Sequence, residues 1–426
     1  MMKARGTRGL NLLGLIVFLG VLIPLSSCQI LGLRKHIETL ETFGVITIHV
    51  SPMPTSGVPT YALAWIAHDD ELESAGLQRV GADGLASFRL RLDRSFAVGA
   101  FTDENGNQKY DAGELADYAK GITPVSLSDP TARAKIYRLT LTSRHGLPSG
   151  TSISIPKENK ELGDQLNLAL GEVVSLDDAR FATDAGGSGL WRPLDFLTNN
   201  RLGIYFTEPY DPGRAPVLLV YGIGGTPQDL RYLSDHFDRQ RYQVWFFHYP
   251  SGMRLERAAR AMAIGLNLLR ERYHFTSCDV VAHSMGGLVA RVAIDEAVRD
   301  AGSNFIPKFA SISTPWGGHE AAGAGIRRLK KPVPSWLDVA PESEFLKGIY
   351  ANRLPQGTQH LLIYGAKKGG PFWLKDENDG VVTVKSETDD RIKKAASSVT
   401  FLPFGHVEIL EQDKTLNMVL RFLGST

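Results

Sequence analysis

The stretch VVAHSMGG, residues 280–287, decides the fold of the second half of the chain. It begins as an apolar, β-branched run, which is typical of a strand covered on both faces. Ser284 follows, with a small residue two positions before it and a glycine two positions after it. A helical pattern then runs through residues 287–299. Because small residues let strand and helix approach closely, the stretch predicts a strand, a sharp turn at Ser284 and a helix.

Strand-like runs and helical patterns alternate on both sides of this turn. Continuous apolar runs occupy residues 217–220, 244–247, 279–282, 309–312, 361–363 and 399–402. The helical patterns between them lie at residues 230–238, 255–273, 287–299 and 414–423. This alternation predicts a mostly parallel sheet wrapped by helices. The helix-rich piece at about 317–352 interrupts the alternation and has the place of an inserted cap.

The turn at Ser284 resembles the G-x-S-x-G turn of the α/β-hydrolases, and the text HSMGG is similar to that of lipases and esterases. Ala282 stands where glycine is usual. The resemblance covers about residues 203–426, and it implies an α/β-hydrolase domain with Ser284 as nucleophile. The alternative interpretation is a glycine-rich helix start with an ordinary serine. We expect His283, next to the turn, to be a packed and hydrogen-bonded structural residue.

The order of the motif residues in this family is serine, acid, histidine. The resemblance implies that His406, after the last predicted strand, is the base. It also implies that Asp379, in the text DGVV, is the orienting acid, whereas we expect Asp376 and Glu377 to be solvated. The alternative for His406 is an ordinary surface loop histidine.

A glycine-rich text, YGIGGTP at residues 221–227, follows the first strong strand. It resembles the family's His-Gly-x-x-Gly loop, with Tyr221 in the place of the histidine. The resemblance implies that the backbone amides of Ile223 and Met285 form an oxyanion hole. The spacing is not that of a Walker loop, and no Gly-Lys-Ser/Thr follows, so a nucleotide site is not expected.

Two further segments, residues 247–252 and 311–318, resemble loops of triacylglycerol-lipase-like relatives. Trp316 lies in the second of them, and Trp336 lies in the predicted cap. These tryptophans, together with Tyr221, are candidates for an apolar acyl pocket. The tryptophans fit the core of the cap equally well.

The first half of the chain has a different pattern. Short β-branched runs with Pro, Gly, Asp and Asn connections predict a small all-β sandwich over residues 43–142. Residues 143–202 are interpreted as a linker or docking segment, with a helix at 162–176 and a flexible turn at 185–189.

A calcium-type loop is predicted inside the β-sandwich, at residues 103–114. Its oxygen-bearing side chains have the ligand spacing of an EF-hand loop. The alternative is an acidic turn in water, and Gln108 stands where the EF-hand glycine is usual. The candidate ligands of a structural Ca²⁺ are Asp103, Asn105, Asn107, Asp111 and Glu114.

Residues 1–28 are interpreted as a lipoprotein signal peptide. The apolar stretch 10–25 is short for a membrane span, which needs about 20 residues. Its end, LSSC, resembles the bacterial lipobox, in which the cysteine, here Cys28, is lipidated and anchors the protein to the membrane. Gln29 favours the outer membrane if the host is Gram-negative. The alternatives are a cleaved signal with an incidental cysteine and an uncleaved anchor.

The composition excludes several classes of protein. The chain has 426 residues, 43% of them hydrophobic, which predicts two or three folded units. The net charge of +1 and the absence of a basic run with aromatics argue against nucleic acid as a partner. Two cysteines, Cys28 and Cys278, cannot form a disulfide-stapled scaffold.

The resemblance implies a serine hydrolase that cleaves carboxylic esters, lipids among them, through an acyl-enzyme and needs no cofactor for catalysis. Thioesterases and acyltransferases share the fold. A catalytically silent envelope scaffold is the alternative from another class, because Tyr221 and Ala282 depart from the family pattern near the oxyanion hole.

Overall fold

The computed structural model describes residues 43–52, 58–67, 72–81, 84–106, 110–111, 113–126, 136–141, 147, 168–328, 332–351, 353–367, 374 and 376–424. The predicted signal peptide with Cys28 lies outside the described residues, as does Asn107. The chain divides into two compact units. One comprises Gly171–Phe196 and Gly203–Thr426, and the other comprises Arg34–Leu170 and Leu197–Leu202.

The N-terminal unit is built from two four-stranded sheets. Its strands are β1 (Phe43–Val50), β2 (Thr60–Ala67), β3 (Leu72–Arg79), β4 (Leu85–Arg91), β5 (Phe96–Thr102), β6 (Ala116–Ile122), β7 (Val125–Ser126) and β8 (Ile136–Leu139). The first sheet has the order β4-β1-β7, with β8 parallel to β1, and the second is antiparallel with the order β3-β2-β5-β6.

Alternation along the strands builds the core of this unit. Ile46, Ile48 and Val50 of β1 recur at every second position and are buried in one hydrophobic cluster with Ala64 and Val98 of the other sheet. Side chains at a spacing of two share one face of a strand, so the pattern brings the two inner faces together. The prediction of a small all-β domain before the α/β domain is confirmed.

The C-terminal unit is built on an eight-stranded sheet. Its strands are β9 (Ala169–Val173), β10 (Gly203–Phe206), β11 (Ala215–Val220), β12 (Tyr242–His248), β13 (Asp279–His283), β14 (Lys308–Ile312), β15 (Gln359–Gly365) and β16 (Ser398–Leu402). Their order is β16-β15-β14-β13-β11-β12-β10-β9. The strands from β11 to β16 are parallel, and β10 is antiparallel to β12. Every residue of β12, β13 and β14 is buried, as expected for strands covered on both faces.

Helices separate these strands. They are α1 (Thr183–Trp191), α2 (Pro193–Asn199), α3 (Arg231–His236), α4 (Leu255–Tyr273), α5 (Met285–Ala301), α6 (Glu320–Arg328), α7 (Pro334–Val339), α8 (Glu344–Ala351), α9 (Val384–Glu387), α10 (Asp390–Ala395) and α11 (Asp413–Gly424). Short 3-10 helices lie at Ala179–Phe181, Pro227–Leu230 and Glu408–Glu411. Helices α6, α7 and α8 lie between β14 and β15, in the place expected for an inserted cap. The prediction of a mostly parallel sheet wrapped by helices is confirmed.

Two local predictions are wrong. The helix predicted at 162–176 is contradicted by Ala169–Val173, which form strand β9 at the edge of the large sheet. The flexible turn predicted at 185–189 lies within helix α1. Among the described residues, no helix has the length and apolar character needed to cross a membrane.

Candidate active site

Ser284 occupies the sharp turn between β13 and α5. Its backbone angles are φ 53° and ψ −133°. A positive φ is uncommon for a residue with a side chain and costs about 1–3 kcal/mol, so it persists only where the surroundings impose it. The serine is buried, with 2% of its surface exposed.

Two glycines make this turn sterically feasible. A β-carbon placed on Gly286 would lie 2.3 Å from the carbonyl oxygen of Tyr221 and 2.7 Å from that of Val220. A β-carbon on Gly222 would lie 2.8 Å from the β-carbon of Ser284. The start of α5 and the end of β11 therefore meet backbone to backbone, and side chains at either glycine would separate them.

The structure brings together the three residues that the sequence motifs single out. His406 Nδ1 lies 2.5 Å from Asp379 Oδ2, and His406 Nε2 lies 2.9 Å from Ser284 Oγ. Asp379 follows β15 and His406 follows β16, so both lie beyond the carboxyl ends of parallel strands. With the Nδ1 proton donated to the carboxylate, Nε2 is free to accept the serine proton.

The Asp379 carboxylate is held in place from several sides. Its Oδ1 accepts hydrogen bonds from the amides of Val381, at 2.9 Å, and Val382, at 2.7 Å. Burial would raise the pKa of the Asp379 carboxyl, but the charge and hydrogen bond of His406, together with these amides, place the pKa below its usual value. The residue is therefore an anion at neutral pH, which suits it to orient an imidazole and stabilise the imidazolium.

His283 lies beside the hydrogen-bonded relay formed by Ser284, His406 and Asp379. Its Nε2 lies 2.8 Å from the backbone oxygen of His406, to which it donates. Burial lowers the pKa of His283 to about 3, so the ring is neutral and serves as a hydrogen-bond donor. The expected packed, hydrogen-bonded histidine is found, and it fixes the loop that carries His406.

A second carboxyl group, that of Glu387, was not predicted from the sequence. It lies on the short helix α9 with 1% of its surface exposed, and polar atoms of Asp379, Glu387 and His406 all lie within 4.8 Å of one another. Burial, and then the charge of Asp379, raise the pKa of Glu387 well above its usual range, which favours the protonated carboxyl. No motif marks Glu387, because its position depends on how α9 packs under the loop of Asp379.

His319, at the start of the inserted helices, was also missed. Its Nε2 lies 2.7 Å from the backbone oxygen of Val381, whose amide in turn donates to Asp379. Burial lowers the pKa of His319 to about 4, so it is a neutral donor. The insertion is thereby hydrogen-bonded to the loop that carries the acid.

The glycine-rich loop, residues 222–225, lies on the other side of Ser284. The hydroxyl of Tyr221 accepts from the amide of Tyr249, at 2.7 Å, and donates to the carbonyl of Tyr249, at 2.6 Å. The hydroxyl of Tyr249 donates to the carbonyl of Tyr221 at 2.9 Å. Tyr221, in the place of the family's histidine, is therefore fully buried in a reciprocal hydrogen-bonded pair that holds the entry to the loop.

The two amides predicted to form an oxyanion hole have the required freedom. Among the hydrogen bonds of the described residues, none uses the amide of Ile223 or that of Met285 as donor. Met285 is the first residue of α5, where backbone amides have no partner within the helix. The positive end of the helix also favours negative charge there. These donors can therefore serve an anion beside Ser284.

The candidate pocket tryptophans are both buried. Trp316 is fully buried, and its ring meets that of His360 edge-on at a centroid distance of 5.6 Å. Trp336 is 6% exposed and meets Trp191 edge-on at 5.9 Å. These contacts are those of core residues, and the role of Tyr221, Trp316 and Trp336 in a pocket stays a prediction.

The described members of the predicted calcium loop bond to one another. The two oxygens of Glu114 accept from the amides of Glu104, at 2.8 Å, and Asp111, at 2.9 Å. Asn105 Nδ2 donates to Asp111 Oδ2 at 2.6 Å, and Asp103 is buried. Within the described part of the chain, the group of acidic and histidine side chains close enough for one metal ion is that of Asp379, Glu387 and His406. Calcium binding at residues 103–114 stays a prediction.

No family model matches the chain, and no curated protein matches it. It is similar to several solved structures. A lipase from Bacillus licheniformis is 16% identical, with 52% of this chain and 97% of that one covered, at a TM-score of 0.40. A phospholipase from Legionella pneumophila in complex with thio-NAD is 14% identical, with 50% of this chain and 58% of that one covered, at a TM-score of 0.40. An esterase from Pyrococcus furiosus is 18% identical, with 50% of this chain and 84% of that one covered, at a TM-score of 0.36.

These similarities identify no substrate. The fold follows from the geometry itself: a mostly parallel sheet, a serine lifted at a strand-to-helix turn, and an acid and a histidine after the next strands in the order Ser284, Asp379, His406. The C-terminal unit of the chain has the α/β-hydrolase fold.

Proposed function

We propose that the protein is a serine hydrolase that cleaves carboxylic esters. The observation that carries the proposal is the continuous hydrogen-bonded relay from Ser284 through His406 to Asp379. A serine hydroxyl is a weak nucleophile until an adjacent base takes its proton, and a base works best when a third group fixes its tautomer. Each of these requirements is met by one residue of the relay.

The reaction proceeds through an acyl-enzyme. Ser284 Oγ attacks the ester carbonyl as its proton passes to His406 Nε2, and Asp379 stabilises the imidazolium. His406 then gives the proton to the alcohol as the ester C–O bond breaks. A water molecule then attacks the acyl carbonyl as His406 Nε2 takes its proton. The bond between the acyl carbon and Ser284 Oγ breaks, His406 returns the proton to Oγ, and the carboxylic acid leaves.

The negative charge of the tetrahedral intermediate falls on the former carbonyl oxygen. The amides of Ile223 and Met285 are the proposed donors to it, because both are unused. Met285 follows Ser284 in the chain, and Ile223 follows Gly222, whose added β-carbon would lie 2.8 Å from that of Ser284. Removing one such donor costs roughly 10²–10³ in rate.

The substrate class rests on the lipase-like text around Ser284 and is proposed as an ester with an apolar acyl chain. Hydrolysis of p-nitrophenyl esters from acetyl to palmitoyl tests it. Turnover that disappears in Ser284→Ala and persists in Ser303→Ala, an exposed serine, supports the proposal. Asp379→Asn is expected to lower kcat about 10³–10⁴-fold, because the imidazole then loses its orienting anion. The acyl-length profile separates an esterase from a lipase.

Failure of the chain to turn over any ester, together with no labelling of Ser284 by a fluorophosphonate, would favour a catalytically silent scaffold. A thioester or acyl-transfer preference would appear as faster turnover of an acyl thioester, or as transfer of the acyl group to an added alcohol.

We also propose that the protein is anchored in the bacterial envelope by lipid attached at Cys28. Support comes from the text LSSC after the apolar stretch at residues 10–25. Incorporation of labelled palmitate in the producing cell that is lost in Cys28→Ser would support the anchor. Retention of the label in that variant would exclude Cys28 as the site.

A further inference from the structure

Helix α1 has a composition that does not favour a helix. Its nine residues, TDAGGSGLW, include Gly186, Gly187 and Gly189, and glycine is among the poorest helix formers. Thr183 and Ser188 are also weaker helix formers than alanine, and Asp184 favours only the first turn. The helix must therefore be stabilised by what it packs against.

Gly186 packs directly on the glycine-rich loop beside Ser284. A β-carbon placed on Gly186 would lie 2.2 Å from the carbonyl oxygen of Gly224 and 3.1 Å from that of Gly225. Gly187, the next residue, has no atom within 4 Å of the corresponding position. One glycine of the pair thus touches the loop backbone, and the other faces open space.

The loop after β12 holds Gly224 from another direction. The amide of Gly224 donates to Ser251 Oγ at 2.8 Å. The neighbouring Gly252 donates its amide to the carbonyl of Gly189 at 2.9 Å, so this loop is bonded to α1 as well. A β-carbon on Gly252 would lie 2.1 Å from the carbonyl oxygen of Leu190, which shows how closely the two segments meet.

Gly224 is therefore fixed at both of its polar backbone groups. Ser251 binds its amide, and the backbone of α1 at Gly186 lies against its carbonyl. Ile223, the proposed oxyanion donor, is the residue immediately before it. A side chain at Gly186 would need a displacement of at least 0.8 Å, from 2.2 Å to the 3.0 Å below which such contacts do not occur. A hydrogen-bond donor in an oxyanion hole works only within about 2.7–3.1 Å, so a shift of this size would misplace it.

We propose that Gly186 of α1 and Ser251 are positioning residues that hold the glycine-rich loop with the amide of Ile223 already directed to the oxyanion. The hole is then preformed in the free protein and does not await movement of the inserted helices. The inference rests on the proposed function, because it assigns a role within the same reaction. Helix α1, which precedes the parallel strands in the chain, then contributes to the reaction.

The test compares Gly186→Ala with Gly187→Ala in the full-length protein. Both changes add one methyl group to the same helix, and both raise its helix propensity by a similar amount. The rate of Ser284 modification by a fluorophosphonate and the kcat and KM for p-nitrophenyl butyrate are measured. Gly187→Ala is expected to stay within about twofold of the wild type. Gly186→Ala is expected to lose roughly 10²-fold in kcat and in labelling rate, with KM nearly unchanged, because the hole acts on the transition state.

Ser251→Ala provides a second variant that adds no atoms and therefore no clash. It removes the acceptor for the Gly224 amide, and it is expected to lower kcat roughly tenfold, again without a matching change in KM. It carries the test if Gly186→Ala does not fold, as judged by its thermal unfolding.

The outcomes separate the inference from the proposed function. If the wild type is labelled and turns over esters while Gly186→Ala and Ser251→Ala react as fast as Gly187→Ala, the positioning role is overturned and the proposed function stands. A loss confined to KM also overturns it, since α1 would then act on substrate binding. A wild type that is neither labelled nor active overturns the proposed function, and the inference with it.

Discussion

The two sides of the Ser284 turn are held by different physical means. On the side of the glycine-rich loop, backbones touch: Gly222 and Gly286 leave no room for a β-carbon. On the side of Asp379 and His406, buried polar groups hold one another through hydrogen bonds. The first side should therefore be the more sensitive to added volume, with a smaller contribution from the hydrogen bond between Ser251 and Gly224, whereas the second should be sensitive to the loss of a donor or a change of charge.

The glycine-rich loop and the side of Asp379 and His406 both act on Ser284, at its hydroxyl oxygen and on the proton that it shares with His406. Close backbone contact itself involves no titratable group, but the carboxylate of Asp229, whose pKa is raised to about 6 by burial, accepts from the amide of Thr226 beside the same loop. Buried polar contacts give the histidine its tautomer and its acid partner, and they depend on the protonation of Asp379, Glu387, His283 and His319. Steric contact thus has the larger part on one side of Ser284, and protonation has the larger part on the other.

On the side of the glycine-rich loop, the largest expected effect comes from Gly286→Ala. The added β-carbon would lie 2.3 Å and 2.7 Å from two carbonyl oxygens, and relieving these contacts must move the start of α5 away from β11. We expect a loss of activity of at least about 10²-fold, since misplacement by about 1 Å has that cost, and a destabilisation of about 1–3 kcal/mol. Ester turnover and thermal unfolding measure the two effects.

Gly348→Ala is the matched control for this change. Gly348 lies in helix α8, and no atom lies within 4 Å of its added β-carbon. If the two variants were equally active and equally stable, close backbone contact would not be what holds the side of the glycine-rich loop.

A smaller effect is expected from His283→Phe. The ring volume is kept, but the donor to the carbonyl of His406 is lost, so the loop that carries the base is less firmly held. We expect kcat to fall roughly tenfold, which corresponds to about 1.4 kcal/mol. His360→Phe is the control, because His360 is equally buried but hydrogen-bonds to Ser311, away from the relay. Both variants should lose stability, and only the first should lose kcat; equal kcat losses would contradict the assigned role.

Glu387→Gln tests the side of Asp379 and His406 through the pH dependence of the free energy of unfolding. Below about pH 4.5, its ordinary pKa, Glu387 is protonated in both the folded and the unfolded chain. As the pH rises above that value, the unfolded chain releases the proton while the folded chain keeps it, so the free energy of unfolding falls. Glutamine cannot titrate, so the variant should gain on the wild type by up to about 1.4 kcal/mol per pH unit until the folded pKa is passed.

Thermal unfolding of both proteins at a series of pH values measures this difference. A difference that stays constant from acid to alkaline pH would show that Glu387 does not hold a proton beside Asp379. The comparison uses the difference between two proteins, so the titration of groups that do not interact with residue 387 cancels, and the coupled titration of Asp379 is part of the measured difference.

Much of the α/β unit could be predicted from the sequence because its strands are covered on both faces. Residues 279–282 were predicted as a strand that the structure gives as Asp279–His283, and the helix predicted at 255–273 has the bounds of α4. Ser284, Asp379 and His406 were also predicted, and the structure brings them within hydrogen-bond distance. Their motifs are local, and the order of strands in a parallel sheet places the loops together.

The parts that were missed depend on tertiary contact. Helix α1 has three glycines in nine residues, so propensity favours a turn. The helix is explained by close packing, of Gly186 on the backbone of Gly224 and of Gly189 on the ring of Phe196. Strand β9 includes Gly171 at φ +74°, in a stretch whose sequence pattern predicts a helix. Glu387 and His319 carry no motif, and their proximity to Asp379 arises from folding alone.

The backbone at Ser284 has a consequence for how this site could change over time. Glycine would adopt a φ of 53° without strain, whereas serine there opposes stability. A chain selected only for stability would gain from exchanging the serine for glycine. Reactivity and folding free energy therefore favour different residues at this position. The hydroxyl is needed for the proposed chemistry, and retaining it lowers the stability of the folded chain.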